Sequence, residues 1–172
     1  VMLCRANTLA VGLSACRPRA VEVLLEMLAA NVIPVVPAQG AVGAAGSCAL
    51  AHIARVACGF GGEAYLDGER LPVERAMVGI KPLEPTEKEA LSLINGSTLS
   101  TALGALACHR AERVISAAEA ACAMSMEAVR ADLGSLSALA MEARHHSGGI
   151  EVARRLRRLV EGSELVHARR AV

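Results

Sequence analysis

Residues 40–54, GAVGAAGSCALAHIA, combine residue types and a spacing that could do chemistry. Gly40, Gly43 and Gly46 recur every three residues, and Ser47 comes next, where a helix can start. Glycines before a helix start let backbone amides approach a ligand, and the free N–H groups and dipole of that start favour an anion. The spacing matches neither the phosphate loop, which ends in Gly-Lys-Ser/Thr, nor the dinucleotide fingerprint, and no strand pattern precedes it. From these residues alone the reading stays unspecific. The histidines add little: His52 reads as a packed helical residue rather than a base. His145 and His146 are adjacent in a loop pattern with no third ligand, so no metal is expected there. His109 and His167 carry no context. Tyr65 falls in a short hairpin pattern and reads as a packing or solvent-facing residue. The six cysteines, Cys4, Cys16, Cys48, Cys58, Cys108 and Cys122, form no CxxC pair. They read as small apolar residues in a reduced, cytoplasmic setting.

Composition limits what can position these residues. The chain has 172 residues, 53% hydrophobic and 20% charged, with 34 alanines, no Trp, and only Phe60 and Tyr65 as aromatics. Alanine is the best helix former, whereas sandwiches and barrels draw on aromatic and β-branched residues. The composition therefore implies an all-α architecture of closely packed helices, and the hydrophobicity excludes disorder. A net charge of +1 gives no electrostatic footprint for nucleic acid. Residues 27–54 carry no charge, but Asn31, Pro34, Pro37, Gln39, Gly40, Gly43 and Gly46 interrupt them. A membrane-spanning helix cannot leave such backbone facing lipid, so no membrane is expected, and the stretch reads as a buried Gly-rich loop.

Along the chain, periodicity predicts a helix over Met2–Leu13, with Leu3, Ala6, Leu9, Ala10 and Leu13 on one face, and another over Pro18–Ala30 with proline in its first turn. A third is predicted from Ser47, with its hydroxyl capping, to Cys58. Glu63–Leu71 reads as a hairpin turning at Asp67-Gly68, the only strand signal. A short helical turn near Val73–Val78 precedes an extended KPLEP segment, and Thr86 with Glu89 has capping-box spacing for a helix into Ile94. Residues 97–129 read as one helix of roughly 30 residues, about 45 Å long. A compact chain of this size has a radius of gyration of only about 15–16 Å, so that helix is expected to pack against copies of itself. A last helix over Gly149–Leu159 carries Arg154, Arg155, Arg157 and Arg158, with Glu151 and Glu161 interspersed, and reads as a solvated or pairing face.

Several of these stretches, in order, resemble the histidine and aromatic amino acid ammonia-lyase family. Residues 4–18, CRANTLAVGLSACRP, are similar to the family's Arg-x-Asn-(Thr/Val)-Leu-x-x-Gly-x-Ser-Gly-x-Arg-Pro stretch. Pro34, Val35, Pro37 and GAVGAAG at 40–46 resemble its Pro-x-x-Pro-x-x-Gly-Ser-Val-Gly-Ala-Ser-Gly signature, and LAHIA at 50–54 resembles the family's segment just beyond that signature. Asn95-Gly96-Ser97-Thr98 is similar to the family's Asn-Gly-Thr, and Gly149–Ala153 with Glu161-Gly162-Ser163 to its later helix.

The resemblance implies one helical domain over 1–172, a long-helix bundle with one small β-hairpin, a buried loop at 27–54 and a bundle helix at 97–129. It implies a homotetramer, an amino acid substrate, and Asn95 as a support for cofactor and substrate. It also implies a self-formed 4-methylideneimidazole-5-one, made in the family from an Ala-Ser-Gly triplet whose serine loses its hydroxyl. The matching positions are Ala44, Ala45 and Gly46. Ala45 has no hydroxyl to eliminate. Ser47 would require Gly46-Ser47-Cys48 as the triplet, with a bulkier residue supplying the attacking nitrogen where glycine uniquely allows close approach. The next segment, Ser47-Cys48-Ala49-Leu50, is also one residue shorter than the family's Asp-Leu-Ala-Pro-Leu. No cofactor is therefore expected in this chain. Since the resemblance covers about the middle third of a family member, the expectation is a truncated chain, inactive alone, that partners with its own copies or with the missing segments. The alternative is a non-catalytic helical oligomerisation module.

Overall fold

The computed structural model describes residues 1–40 and 46–166. The triplet positions Ala44 and Ala45, and His167, lie outside the described residues. The chain divides into two compact units, Val1–Leu106 and Ala107–Val172.

The first unit begins with α1 (Met2–Ala10) and α2 (Pro18–Ala29), which pack together. The first helix stops three residues before the predicted Leu13, because Gly12 adopts φ +82° and its N–H closes on Leu9 O at 3.0 Å. Its buried face is Met2, Arg5, Ala6 and Leu9, while Leu3 and Leu13 are exposed, contrary to the predicted stripe. Pro18 takes the first-turn position that needs no donor.

The described residues of the uncharged stretch include the end of α2, a strand, and most of α3 (Ser47–Ala57). That strand, β1 (Val32–Pro34), is a correction to the expected lone hairpin. It pairs antiparallel with β2 (Glu63–Leu66), which pairs in turn with β3 (Glu69–Pro72). Pro34 and Pro72 sit on the two outer strands, where a missing N–H costs no ladder bond. The β2–β3 turn is at Asp67-Gly68 as predicted, both residues with positive φ, which matches the right-handed twist of a hairpin. The described end of the loop, Pro37–Gly40, is exposed in this chain.

Gly46, at φ +55°, takes the N-cap position of α3, which Ser47 was expected to fill. A single turn, α4 (Val73–Ala76), comes after the sheet. Next is α5 (Glu87–Ile94), opened by the predicted capping box of Thr86 and Glu89. One core holds these elements together, with Leu9, Leu24, Met27, Val32, Leu50, Val56 and Leu83 fully enclosed.

α6 (Thr98–Ala128) is a continuous helix of 31 residues that runs through the boundary between the units, within a residue of each predicted end. The second unit continues with a 3-10 turn (Leu133–Leu136), α7 (Ala138–Glu142) and α8 (Ser147–Leu159). The 3-10 turn and α7 lack a sequence signature because each is a turn or so long. A smaller core of Ala123, Leu156, Val160 and Val166 closes this unit. Glu151 pairs with Arg154 and Arg155, so the arginine face is partly neutralised by its own helix.

Candidate active-site scaffold

The turn between α5 and α6 carries Asn95 and Gly96, and the first eighteen residues hold it in place. Arg5 projects from the buried face of α1 and is only 4% exposed. Its Nη2 donates to Ser92 O and, at 2.7 Å, to Asn95 O, while Nη1 lies 3.4 Å from Thr98 Oγ1. Helices leave their last carbonyls without partners, so a buried guanidinium at the end of α5 satisfies groups that would otherwise be stranded and complements the negative end of the dipole. Burial pulls the Arg5 pKa below the ordinary guanidinium value.

Two more attachments come from the α1–α2 loop. Ser92 Oγ lies 2.5 Å from Ser14 O and 3.0 Å from Lys88 O. Glu89 is 1% exposed, and its Oε1 accepts from Arg17 N at 2.7 Å and from Arg17 Nε at 2.8 Å. Its Oε2 accepts from Arg17 Nη2 at 2.7 Å and from Thr86 N at 3.0 Å. Four donors, led by the Arg17 guanidinium, hold the Glu89 carboxyl down at about 2. Arg17 Nη2 also reaches Glu84 O at 2.7 Å.

Gly46 meets this turn from the other side. A Cβ built on it would lie 3.1 Å from Leu99 Cβ and 3.5 Å from Gly96 O. The last residue of the degenerate triplet therefore packs against the Asn95-Gly96 turn and the first turn of α6. Asn95 itself is exposed and lines a cleft of about 730 Å³ with Arg5, Asn7, Lys88, Thr98 and Thr101. Of the predicted site residues, Gly46 lies against Gly96, the residue after Asn95, and Ala44 and Ala45 lie outside the described residues.

The remaining candidates sit elsewhere. His52 is half-buried on α3, and Tyr65 is 41% exposed on β2. His146 caps α8, its Nδ1 accepting from Gly149 N at 3.1 Å. All six cysteines are free thiols, and burial pushes the Cys58 thiol up. Among the described residues no group of three metal-ligating side chains converges.

The model for the family described as aromatic amino acid lyase matches residues 1–172. The chain belongs to the aromatic amino acid lyase family. Histidine ammonia-lyase of Caldanaerobacter subterraneus is 43% identical over 169 residues, covering 96% of this chain and 33% of that protein. Histidine ammonia-lyase of Gloeobacter violaceus is 46% identical over 172 residues, with the same coverage of 96% and 33%. Among solved structures, a tyrosine aminomutase from Streptomyces globisporus matches with a TM-score of 0.90 at 36% identity, over 97% of this chain and 32% of that one. A phenylalanine ammonia-lyase from Rhodosporidium toruloides matches at 0.87 and 28%, over 99% and 27%. The chain spans about a third of the length of the curated relatives it matches.

For an aromatic amino acid lyase, the residues that sequence reading missed are Arg5, Ser14, Arg17 and Glu89, which position the turn rather than touch a substrate. Arg5, Ser14 and Arg17 stood in the matched stretch 4–18 and Glu89 in its capping box, with no positioning role assigned to any of them.

Proposed function

We propose that this chain is an aromatic amino acid lyase scaffold that does not build its own electrophile. Its ancestral reaction is elimination of ammonia from an L-amino acid, histidine or aromatic, to give an α,β-unsaturated acid. Ala45 carries this reading, since ring closure at the triplet without a hydroxyl to lose leaves no electrophilic carbon. The turn-positioning residues support it from the other side, because Arg5, Ser14 and Arg17 keep Asn95 and Gly96 against Gly46 although the chemistry at the neighbouring position is gone. The free thiols support a reducing, cytoplasmic setting.

Intact-mass spectrometry of the purified chain is expected to give the mass calculated from its sequence, and incubation with histidine, phenylalanine or tyrosine to give no urocanate, cinnamate or coumarate absorbance. A mass lower by two waters, or any of those products, overturns the proposal.

The second reading, a helical oligomerisation module, is favoured by α6. Leu103, Leu106, Val114, Ile115 and Met124 are between 49% and 72% exposed on it, more large apolar surface than a solvated helix carries. We infer self-association through this helix, as a tetramer, with segments supplied by a longer family chain as the competing partner. Sedimentation velocity at micromolar concentration is expected to show an assembly larger than a monomer, and a clean monomer excludes the tetramer.

A further inference from the structure

We propose that Asn95-Gly96 is a self-modification site, an asparagine that cyclises onto its neighbour and deamidates at a rate set by the Arg5 clamp. Asn95 is exposed, and its side-chain amide makes no hydrogen bond among the described residues. The next residue is glycine, so no Cβ shields the backbone nitrogen that attacks it. The chain's other asparagines, Asn7 and Asn31, precede Thr8 and Val32, whose branched side chains crowd the same approach.

The reaction needs water alone. Gly96 N attacks Asn95 Cγ, the Cγ–Nδ2 bond breaks, and ammonia leaves with the proton from Gly96 N–H, which closes a succinimide. Water then opens either carbonyl of that ring, giving aspartate or isoaspartate at position 95. Side-chain amide and water become acid and ammonia, and the mass of the chain rises by about 1 Da.

The fold holds the reacting atoms apart. Asn95 has φ −99° and ψ 121°, which turns the Gly96 nitrogen away from the side chain, and ring closure requires ψ to swing by about a third of a turn. That rotation carries the Asn95 carbonyl with it, and Arg5 Nη2 holds this oxygen at 2.7 Å. Gly96 has little room to compensate: a Cβ built on it would lie 2.5 Å from Arg5 Nη1, and its carbonyl oxygen lies 3.5 Å from a Cβ built on Gly46. Arg5 is 4% exposed and is anchored to Ser92 O as well, so releasing Asn95 means displacing a buried side chain. Once formed, a carboxylate at position 95 stands in a cleft lined by Arg5 and Lys88, with no aspartate or glutamate among its lining residues, and just before the start of α6, where negative charge is favoured. The product is better accommodated there than the amide it replaces.

Peptide mass spectrometry on the whole chain, incubated at mildly alkaline pH, tests this by following each asparagine over time. Modification is expected at Asn95, with isoaspartate among the products, and slower by roughly tenfold or more in buffer than in urea, where the clamp is gone. Arg5→Met should speed it in buffer by roughly tenfold and leave the urea rate unchanged. Leu24→Ala, a core change of similar cost away from the turn, should not speed it. If Arg5→Met does not fold, Thr98→Val, which removes only the Nη1 contact at 3.4 Å, takes its place and should speed modification by about twofold or more. Gly96→Ala should slow it in urea, as a route through Gly96 N requires. Equal rates in buffer and urea, a parent rate in the folded clamp variant, a Leu24→Ala rate equal to that of the clamp variant, or aspartate without isoaspartate overturns the proposal.

Discussion

Glu89→Gln is expected to destabilise the first unit by about 2 kcal/mol near neutral pH. The side chain is buried and accepts four hydrogen bonds from Arg17 and Thr86, and an amide replaces one accepting oxygen by a donor that faces N–H groups. The effect stays below that of a fully buried ion pair because Arg17 is 54% exposed and water screens it. The pH dependence has a definite sign. The carboxyl titrates at about 2 in the folded chain against an ordinary 4.5, so its contribution is complete above 4.5 and is lost as pH falls from there towards 2. Urea unfolding near neutral pH and at about pH 3 should show the parent chain losing stability over that interval and the Gln variant losing less. Equal losses in the two proteins would mean that Glu89 is not the titrating group.

Arg5→Met and Gly96→Ala are each expected to cost about 2–4 kcal/mol, by different routes to the same contact. Methionine fills the volume in α1 but leaves the Ser92 and Asn95 carbonyls without their donor. Alanine at 96 places a Cβ 2.5 Å from Arg5 Nη1, in a backbone of φ +154°, and the guanidinium cannot retreat without giving up those carbonyls. Because both changes break one clamp, the double variant should be less destabilised than the sum of the singles by about 1 kcal/mol. Chemical denaturation of the four proteins measures this directly. Strict additivity would show that Arg5 and Gly96 do not act on the same turn.

These two clamps are where sequence and structure part. Long elements with a period were legible: α6 is predicted to within a residue at each end, α2 is placed by Pro18, and α5 by the Thr86–Glu89 box. Short pairings were not. Val32–Pro34 is only three residues long and ends on a proline, too few for a period-two pattern, and it becomes a strand because β2 offers it an edge. The stripe assigned to α1 was wrong for a related reason. Arg5 looks like a surface residue by type, yet it is buried because its acceptors arrive from 87 and 90 residues away. The site reads as a set of matched motifs, and the structure places Gly46 against Gly96, the residue after Asn95. The purpose of those motifs emerges only in three dimensions: CRANTLAVGLSACRP contributes Arg5, Ser14 and Arg17, each of which holds one segment, 84–95.

That arrangement sets the order in which the chain acquires structure. Contacts separated by 72 to 93 residues are entropically late, since the intervening loop must close before they can form. During synthesis, Arg5 and Arg17 emerge long before their acceptors, and α1 must wait with a guanidinium on its inner face until α5 and the start of α6 have left the ribosome. The clamp on the Asn95-Gly96 turn thus cannot close until both ends of the first unit have been made.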